Sequence, residues 1–476
     1  MAGGIITHNF LEVAPLGNTH LYPPLFHLLL LIPYRLGLNL LFIARLFSSL
    51  SFALFLVVLY FVIAKLFSKR KGFFVTAAAC LPYTFFLKAS ITMPANLALI
   101  FILLTFLAIE REKLLAASLL LSACFYSHLG LPWLGALSFL IYGFFRREKL
   151  RFILKTLILA FLFSSPFLWY LLSNLYRFEG VFGLGVAENK MFEIYLTFYL
   201  FAIIGFLQFK KHQFSKRGLF FISLFIGLLP MAVNYRYRLI SAEGLLPVIF
   251  FCGLGLEKAF EEIAKFFKAY AFKLSLKKIS FVLIFFLINV FSPSLTLQYI
   301  KEPPYEEREL LFYLRDSTFI NLLPLFKKHF RPLEVSLYDK YMKELVEIIL
   351  NHTEQSDVIY VNYRYIGGML SAISERASST RTFYEVKPPP YLINKITSAK
   401  LAILLKDPIH GLEGRLNLYL DNYKFKKAAQ TEIATVLLNP SAPRLKPTKP
   451  LIYLSTAYTI LLVSSLLILF DFRRTP

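Results

Sequence analysis

The sequence predicts an α-helical polytopic membrane protein of about eleven transmembrane helices. It adds an interfacial helix on the outer face and a small extracytoplasmic α/β domain before the last helix. Three observations carry this. Hydrophobic residues make up 57% of the 476-residue chain and charged residues 17%, with a mean hydropathy of +0.60. A soluble chain is nearer one-quarter charged. Apolar runs recur along most of the chain, at lengths near the roughly 20 helical residues that a bilayer core needs. The loops between those runs alternate in positive charge.

The expected spans are 40–65, 73–90, 94–110, 114–128, 131–145, 151–174, 191–209, 217–234, 242–257, 279–297 and 451–470. One set of loops holds 22 Lys/Arg, including Lys69–Lys71, Arg146/Arg147/Lys149/Arg151 and six lysines from Lys258 to Lys278. The short loops of the other set hold six: Arg35, Lys88, Arg177, Lys190, Arg236 and Arg238. The positive-inside rule makes the first set cytoplasmic. Trp133 and Trp169 then fall at outer span ends, where amphipathic rings settle. Of the net charge of +23, residues 298–450 carry only +5. The excess therefore lies in short loops, which is a topology signal and excludes a nucleic-acid stripe. Cys80, Cys124 and Cys252 all sit in apolar runs and read as small core residues.

Four regions follow: a partial first outer loop with the interfacial helix (1–39), a transmembrane helical domain (40–297), a mixed α/β domain (298–450), and a terminal helix with a basic cytoplasmic tail (451–476). Leu21–Pro33 is apolar but spans only about 20 Å as a helix, too short to cross. It is expected to lie on the outer surface, which puts His8, Glu12, His20 and His27 outside; a short first span is the competing reading. Within 298–450, Tyr305–Asp316 and Tyr338–Asn351 have helical patterns. Asp357–Val361, Arg381–Val386, Ala399–Leu405 and Thr431–Leu438 have strand-like ones. That alternation predicts a mixed domain. Pro443–Pro450 reads as a stiff linker. Asn351-His352-Thr353 is a glycosylation sequon on the expected outer side.

The chain holds no phosphate-binding glycine loop, no HExxH, no CxxC, and no aspartate inside a span. Soluble nucleotide chemistry and an ion-driven carboxylate relay are both disfavoured. The polar residues that stand out lie in outer loops.

Four stretches resemble the C-type glycosyltransferase superfamily, polytopic enzymes that use lipid-linked sugar donors. They are YPPLFHLLL (Tyr22–Leu30), IARLFSSLSFALFL (Ile43–Leu56), SITMPANLALIF (Ser90–Phe101) and YRYRLISAEGLLPVIFFCGLGLEKAF (Tyr235–Phe260). That superfamily includes oligosaccharyltransferase catalytic subunits, protein mannosyltransferases and aminoarabinose transferases. The resemblance implies transfer of a sugar from a polyprenyl-phosphate donor to a protein, lipid or glycan acceptor on the outer face. It also implies a catalytic acid and a divalent metal such as Mg or Mn. Two features depart from the pattern. Members usually have a span and an acid before the first outer loop ends, and here Met1 begins beyond that place. The second-loop acid is replaced by Met93-Pro94-Ala95-Asn96. A start farther upstream, a different acid, or a non-catalytic relative would each account for this; a lipid-linked-sugar transporter or polymerase is a third class.

Each candidate residue carries a functional and a bland reading. Arg236 and Arg238 suit a donor phosphate, because a guanidinium fork matches its oxygens; interfacial snorkelling is the alternative. Glu12, Glu179 and Glu188 are the candidate catalytic acids, against solvated loop charges. The glycines of Phe178–Lys190 suit a lid. His20, His27, Asn96 and Glu243 are candidate acceptor or sugar contacts, although Glu243 also suits a helix start. His20 and His27 have no recognised metal-ligand spacing. His128 reads as an interfacial residue ending a span.

Overall fold

The computed structural model describes residues 8–9, 14, 18–82, 85, 93–177, 190–211, 216–234, 236–269, 294–300, 309–315, 333–362, 364–379, 398–405, 425–442 and 454–473. Glu12, Glu179 and Glu188, the Arg381–Val386 segment, the Pro443–Pro450 linker and most of the expected span 279–297 lie outside them.

A short hairpin, β1 (His8–Asn9) with β2 (Asn18–Thr19), precedes the helices. Then come α1 (Leu25–Arg35), α2 (Leu40–Leu66), α3 (Lys69–Ala79), α4 (Met93–Glu110), α5 (Leu114–Phe125), α6 (Leu131–Phe145) and α7 (Arg147–Ser173). After β3 (Lys190–Tyr195) follow α8 (Leu196–Lys211), α9 (Leu219–Leu228), the short α10 (Met231–Asn234) and α11 (Arg236–Ser241), and α12 (Leu245–Ala269). Among the described residues, two helical stretches are long and apolar enough to cross a membrane, Arg147–Ser173 and Arg238–Ile263.

The helices start and stop where local chemistry directs. Ser68 caps α3, its Oγ accepting the Lys71 N–H at 3.1 Å, so this helix begins four residues before the expected span 73–90 and ends at Ala79. Hydroxyls inside the helices are satisfied by the carbonyl one turn back: Ser118 on Leu114, Ser138 on Leu134, Ser164 on Ala160 and Ser223 on Leu219. An apolar surrounding demands such internal pairing.

The abundant phenylalanines form the bundle's interior. Phe106 of α4 stacks on Phe220 of α9 at 3.9 Å, and Phe221 stacks on Phe250 of α12 at 3.9 Å. Helix α12 packs against α3, α8 and α9. It approaches α8 so closely that a Cβ on Gly205 would lie 1.9 Å from the Phe251 carbonyl oxygen. Elsewhere the surface is apolar: Ile158, Leu162 and Trp169 of α7, and Ile460, Leu462 and Leu466 of the last helix α15 (Leu454–Arg473), are exposed.

One end of the bundle is tied by charge. The Glu110 carboxylate is buried; it accepts from the Tyr142 hydroxyl at 2.8 Å and pairs with Arg217 at 3.2 Å and Arg146 at 4.0 Å. Arg217 also donates to the Leu66 carbonyl at 2.7 Å. Asp471 of α15 accepts the Ala116 N–H in the first turn of α5 at 2.9 Å, filling one of the donors a helix start leaves open.

Two sheets complete the fold. The first is a three-stranded antiparallel sheet of β3, β4 (Ser294–Ile300) and β5 (Glu309–Arg315). It corrects three expectations. Lys190–Tyr195 and Ser294–Leu297 are strand where spans 191–209 and 279–297 were expected, and Glu309–Arg315 is strand inside the expected helix Tyr305–Asp316. For β3 and β4 the cause is pairing between segments over a hundred residues apart, such as Lys190 with Tyr299, while β5 pairs with its near neighbour β4 from Ile300–Glu309 onward. Local periodicity cannot register such a partner.

The second sheet has five strands in the order β7-β6-β8-β10-β9. These are β6 (Val358–Val361), β7 (Ala377–Ser378), β8 (Leu401–Leu405), β9 (Lys426–Gln430) and β10 (Ala434–Leu438). Strands β6, β7 and β8 run parallel, while β10 is antiparallel to β8 and β9. Helices α13 (Leu333–His352) and α14 (Arg364–Ser374) pack on it, through Leu345, Ile349 and Leu370 against Ile359, Val361, Leu401 and Val436. Strands match the expected Asp357–Val361, Ala399–Leu405 and Thr431–Leu438 runs closely; β9, with its exposed lysines, carries no such pattern.

Candidate functional site

A short turn over residues 242–244 interrupts the helical stretch after α11. The N–H groups of Ala242 and Gly244 both bond the Arg238 carbonyl, at 3.2 and 3.0 Å. A Cβ on Gly244 would lie 2.2 Å from the Leu239 carbonyl oxygen, so only glycine fits. This turn sets Glu243 against the helix it follows. Arg238 then grips Glu243 with two donors: Nε to Oε2 at 3.1 Å and Nη2 to Oε1 at 2.7 Å. Glu243 is 4% exposed and Arg238 17%. Helix α11 also packs against β3, so the three-stranded sheet flanks this pair.

Next to Arg238 stands His128, in the loop beyond α5. It is buried. Its Nδ1 accepts the N–H groups of Gly130 and Leu131, each at 3.1 Å, and so caps the start of α6. Accepting at Nδ1 requires that nitrogen unprotonated. The Arg238 charge lies close enough to act on this ring.

The N-terminal segment closes the cluster. The Leu25 N–H bonds the Tyr126 carbonyl at 2.9 Å, and the Tyr170 hydroxyl bonds the His20 carbonyl at 3.0 Å. The Tyr22 ring meets both His128, at 6.3 Å, and His27, at 6.0 Å; His20 and His27 meet edge to face at 5.2 Å. Among the described residues, His20 Nε2 and His27 Nδ1 are buried polar atoms without a hydrogen-bond partner of full geometry, the Pro23 carbonyl standing near the His27 ring. Burial, followed by the charge His27 would carry, lowers His20 to about 3.

The structure therefore brings together His20, His27, Arg238 and Glu243 among the expected residues. It adds Tyr22, Tyr170 and a capping role for His128 that the sequence reading does not contain. The sequence signal for His128 is its place two residues before Gly130-Leu131-Pro132, a helix-start pattern. Asn96 lies elsewhere. It is 1% exposed, and its Nδ2 bonds the Ser51 carbonyl at 2.7 Å and Oγ at 2.6 Å, tying α4 to α2. The backbone of Arg236 lies in α11, but its side chain is outside the described set. Asn351 is exposed in the last turn of α13, while Thr353 of the same sequon is buried and donates to the Ile349 carbonyl. Among the described residues no three His, Cys, Asp or Glu side chains group as metal ligands. Mg and Mn favour oxygen ligands, and the cluster's carboxylate, Glu243, is already bonded to Arg238.

No family model and no curated protein matches the sequence. Solved structures do. AglB from Archaeoglobus fulgidus, an archaeal oligosaccharyltransferase in complex with an inhibitory peptide and a dolichol-phosphate, superposes with a TM-score of 0.52 at 12% identity. The match covers 84% of this chain and 63% of AglB. This chain has the C-type glycosyltransferase fold. ArnT from Cupriavidus metallidurans is similar over 90% of this chain and 89% of its own at 14% identity, with TM-scores of 0.49 in the apo state and 0.47 bound to undecaprenyl phosphate.

Proposed function

We propose that this protein is a multi-pass cell-membrane glycosyltransferase that moves a sugar from a polyprenyl-phosphate donor to an acceptor on the outer face. The observation that carries the reading is the oriented Arg238 guanidinium. Glu243 fixes its plane, and it sits where the first outer segment, the α5–α6 loop and α11 converge. A charge held in place before reaction is an effective stabiliser of a leaving phosphate, because it need not reorganise. The dolichol-phosphate bound by AglB supports this donor class. His20 and His27, neutral and with buried ring nitrogens, would contact acceptor or sugar hydroxyls. Arg236 would add a second phosphate contact. Glu12, Glu179 and Glu188 remain the proposed sources of the acid that deprotonates the acceptor, with the Phe178–Lys190 loop as a lid.

In this reading the chain crosses the membrane about eleven times, with α1 on the outer surface. The α/β unit within 298–450 lies outside the cell, where it binds acceptor or covers the site. The exposed apolar faces of α7 and α15 are then lipid-facing.

A second reading is favoured by one observation: among the described residues, the carboxylate bonded into the cluster is Glu243, and it is committed to Arg238. A non-catalytic relative that binds lipid-linked sugar would need nothing more. Incubation of the purified protein with a labelled polyprenyl-phosphate sugar and membrane extract separates the two. Transfer of label that Arg238→Ala abolishes supports the enzyme. Retention of the lipid without transfer supports the binding protein. Transfer unchanged in Arg238→Ala would remove the phosphate role.

A further inference from the structure

We propose that the α/β unit positions the histidine-bearing first segment, gripping it at two points with the single turn Glu375–Ser378. The first grip lies before the histidines. The Ala14 N–H bonds the Ser378 carbonyl at 2.9 Å, which engages the free edge of β7. Ala14 is 4% exposed and packs with Val358, Ala377 and Ala399 in the unit's own core. The second grip lies after them: the Tyr34 hydroxyl, near the end of α1, donates to the Glu375 carboxylate. His20 and His27 thus stand between two anchors that are set only three residues apart on the other side.

The turn is built to be rigid. Glu375 has φ +54°, a left-handed conformation that costs a non-glycine residue energy. Arg376 holds it in place: Nε bonds Thr353 Oγ1 at 3.1 Å, Nη2 the Thr353 carbonyl at 3.1 Å and Nη1 the Ser374 carbonyl at 2.9 Å. Ser371 donates to the Arg376 carbonyl at 2.6 Å. A turn locked to the end of α13 in this way transmits the position of the α/β unit to the segment it holds. Its bearing on catalysis rests on the transfer reading above; the clamp itself does not.

The test uses the full-length protein in detergent and diethyl pyrocarbonate, which acylates accessible neutral imidazoles. Modification of His20, His27 and His128 is read by peptide mass spectrometry. Tyr34→Phe removes the second grip without burying a new charge; Ala14→Asp drives a charge into the first. The clamp requires His20 and His27 to react faster, about threefold or more, while His128, held by the α6 backbone, keeps its wild-type rate. Unchanged rates at His20 and His27 would overturn it, as would an equal rise at all three, which reports general loosening. Should Ala14→Asp fail to fold, Tyr34→Phe decides alone. The readout needs no substrate, so a failed transfer assay leaves it standing.

Discussion

Arg238 and Glu243 are five residues apart and face each other across the turn in which the Ala242 and Gly244 N–H groups both bond the Arg238 carbonyl. A lysine at 238 would keep the charge and lose the fork. Arg238→Lys is therefore expected to cut transfer from a labelled polyprenyl-phosphate sugar by about a hundredfold, the scale of losing one preorganised donor. Transfer within a few-fold of wild type would mean that charge alone suffices.

The neutral histidines make stability depend on pH. His20 binds no proton in the fold until about pH 3, but takes one in the unfolded chain near its ordinary value of 6.5. The unfolded state therefore binds more protons across that window. Stability from this group is complete above about pH 6.5 and falls as pH drops towards 3, by at most about 1.4 kcal/mol per unit. Thermal midpoints measured from pH 7.5 to 5 should fall with acid, and His20→Gln should flatten the curve. A flat wild-type curve would contradict burial of neutral imidazoles.

Much of the bundle was legible because its signals are local. Helices α2, α4 and α6 follow the expected 40–65, 94–110 and 131–145 to within a few residues. Apolar length and loop charge sufficed there. The β3-β4-β5 sheet was not legible, since its strands are apolar enough to pass for span or helix and β3 meets β4 only across the folded chain, although β4 and β5 pair locally. The site was half legible. Arg238 and the His20/His27 stretch stand out by residue type. That Glu243 turns onto Arg238, and that His128 is a helix cap, follow from backbone turns whose partners a linear reading does not pair.

At the other end of the bundle, the buried Glu110 carboxylate meets Tyr142, the buried Arg146 and the half-exposed Arg217. Removing the carboxylate leaves the Tyr142 hydroxyl without this acceptor, while Arg146 keeps Glu148 and Arg217 keeps the Leu66 carbonyl, so the cost is about 1–3 kcal/mol. Glu110→Ala is expected to lower the thermal midpoint. Glu110→Gln, which keeps an acceptor for Tyr142, should cost less. Equal loss in both would show that the charge, not the hydrogen bond, holds this end.

The contact between α8 and α12 gives the sharpest packing test. A Cβ on Gly205 would lie 1.9 Å from the Phe251 carbonyl oxygen, and one on Gly255 would lie 1.9 Å from that of Phe201. Both obstacles are backbone, so no rotamer change relieves them. The helices must separate, and each glycine-to-alanine change is expected to cost about 1–3 kcal/mol or more. At Gly130 a Cβ would meet only His128 Cε1, at 3.9 Å, an ordinary contact. Gly205→Ala and Gly255→Ala should therefore lower the midpoint of thermal unfolding in detergent, while Gly130→Ala leaves it near wild type. If Gly205→Ala is as stable as Gly130→Ala, the two helices do not cross at this distance, and α12 does not sit against α8 as described.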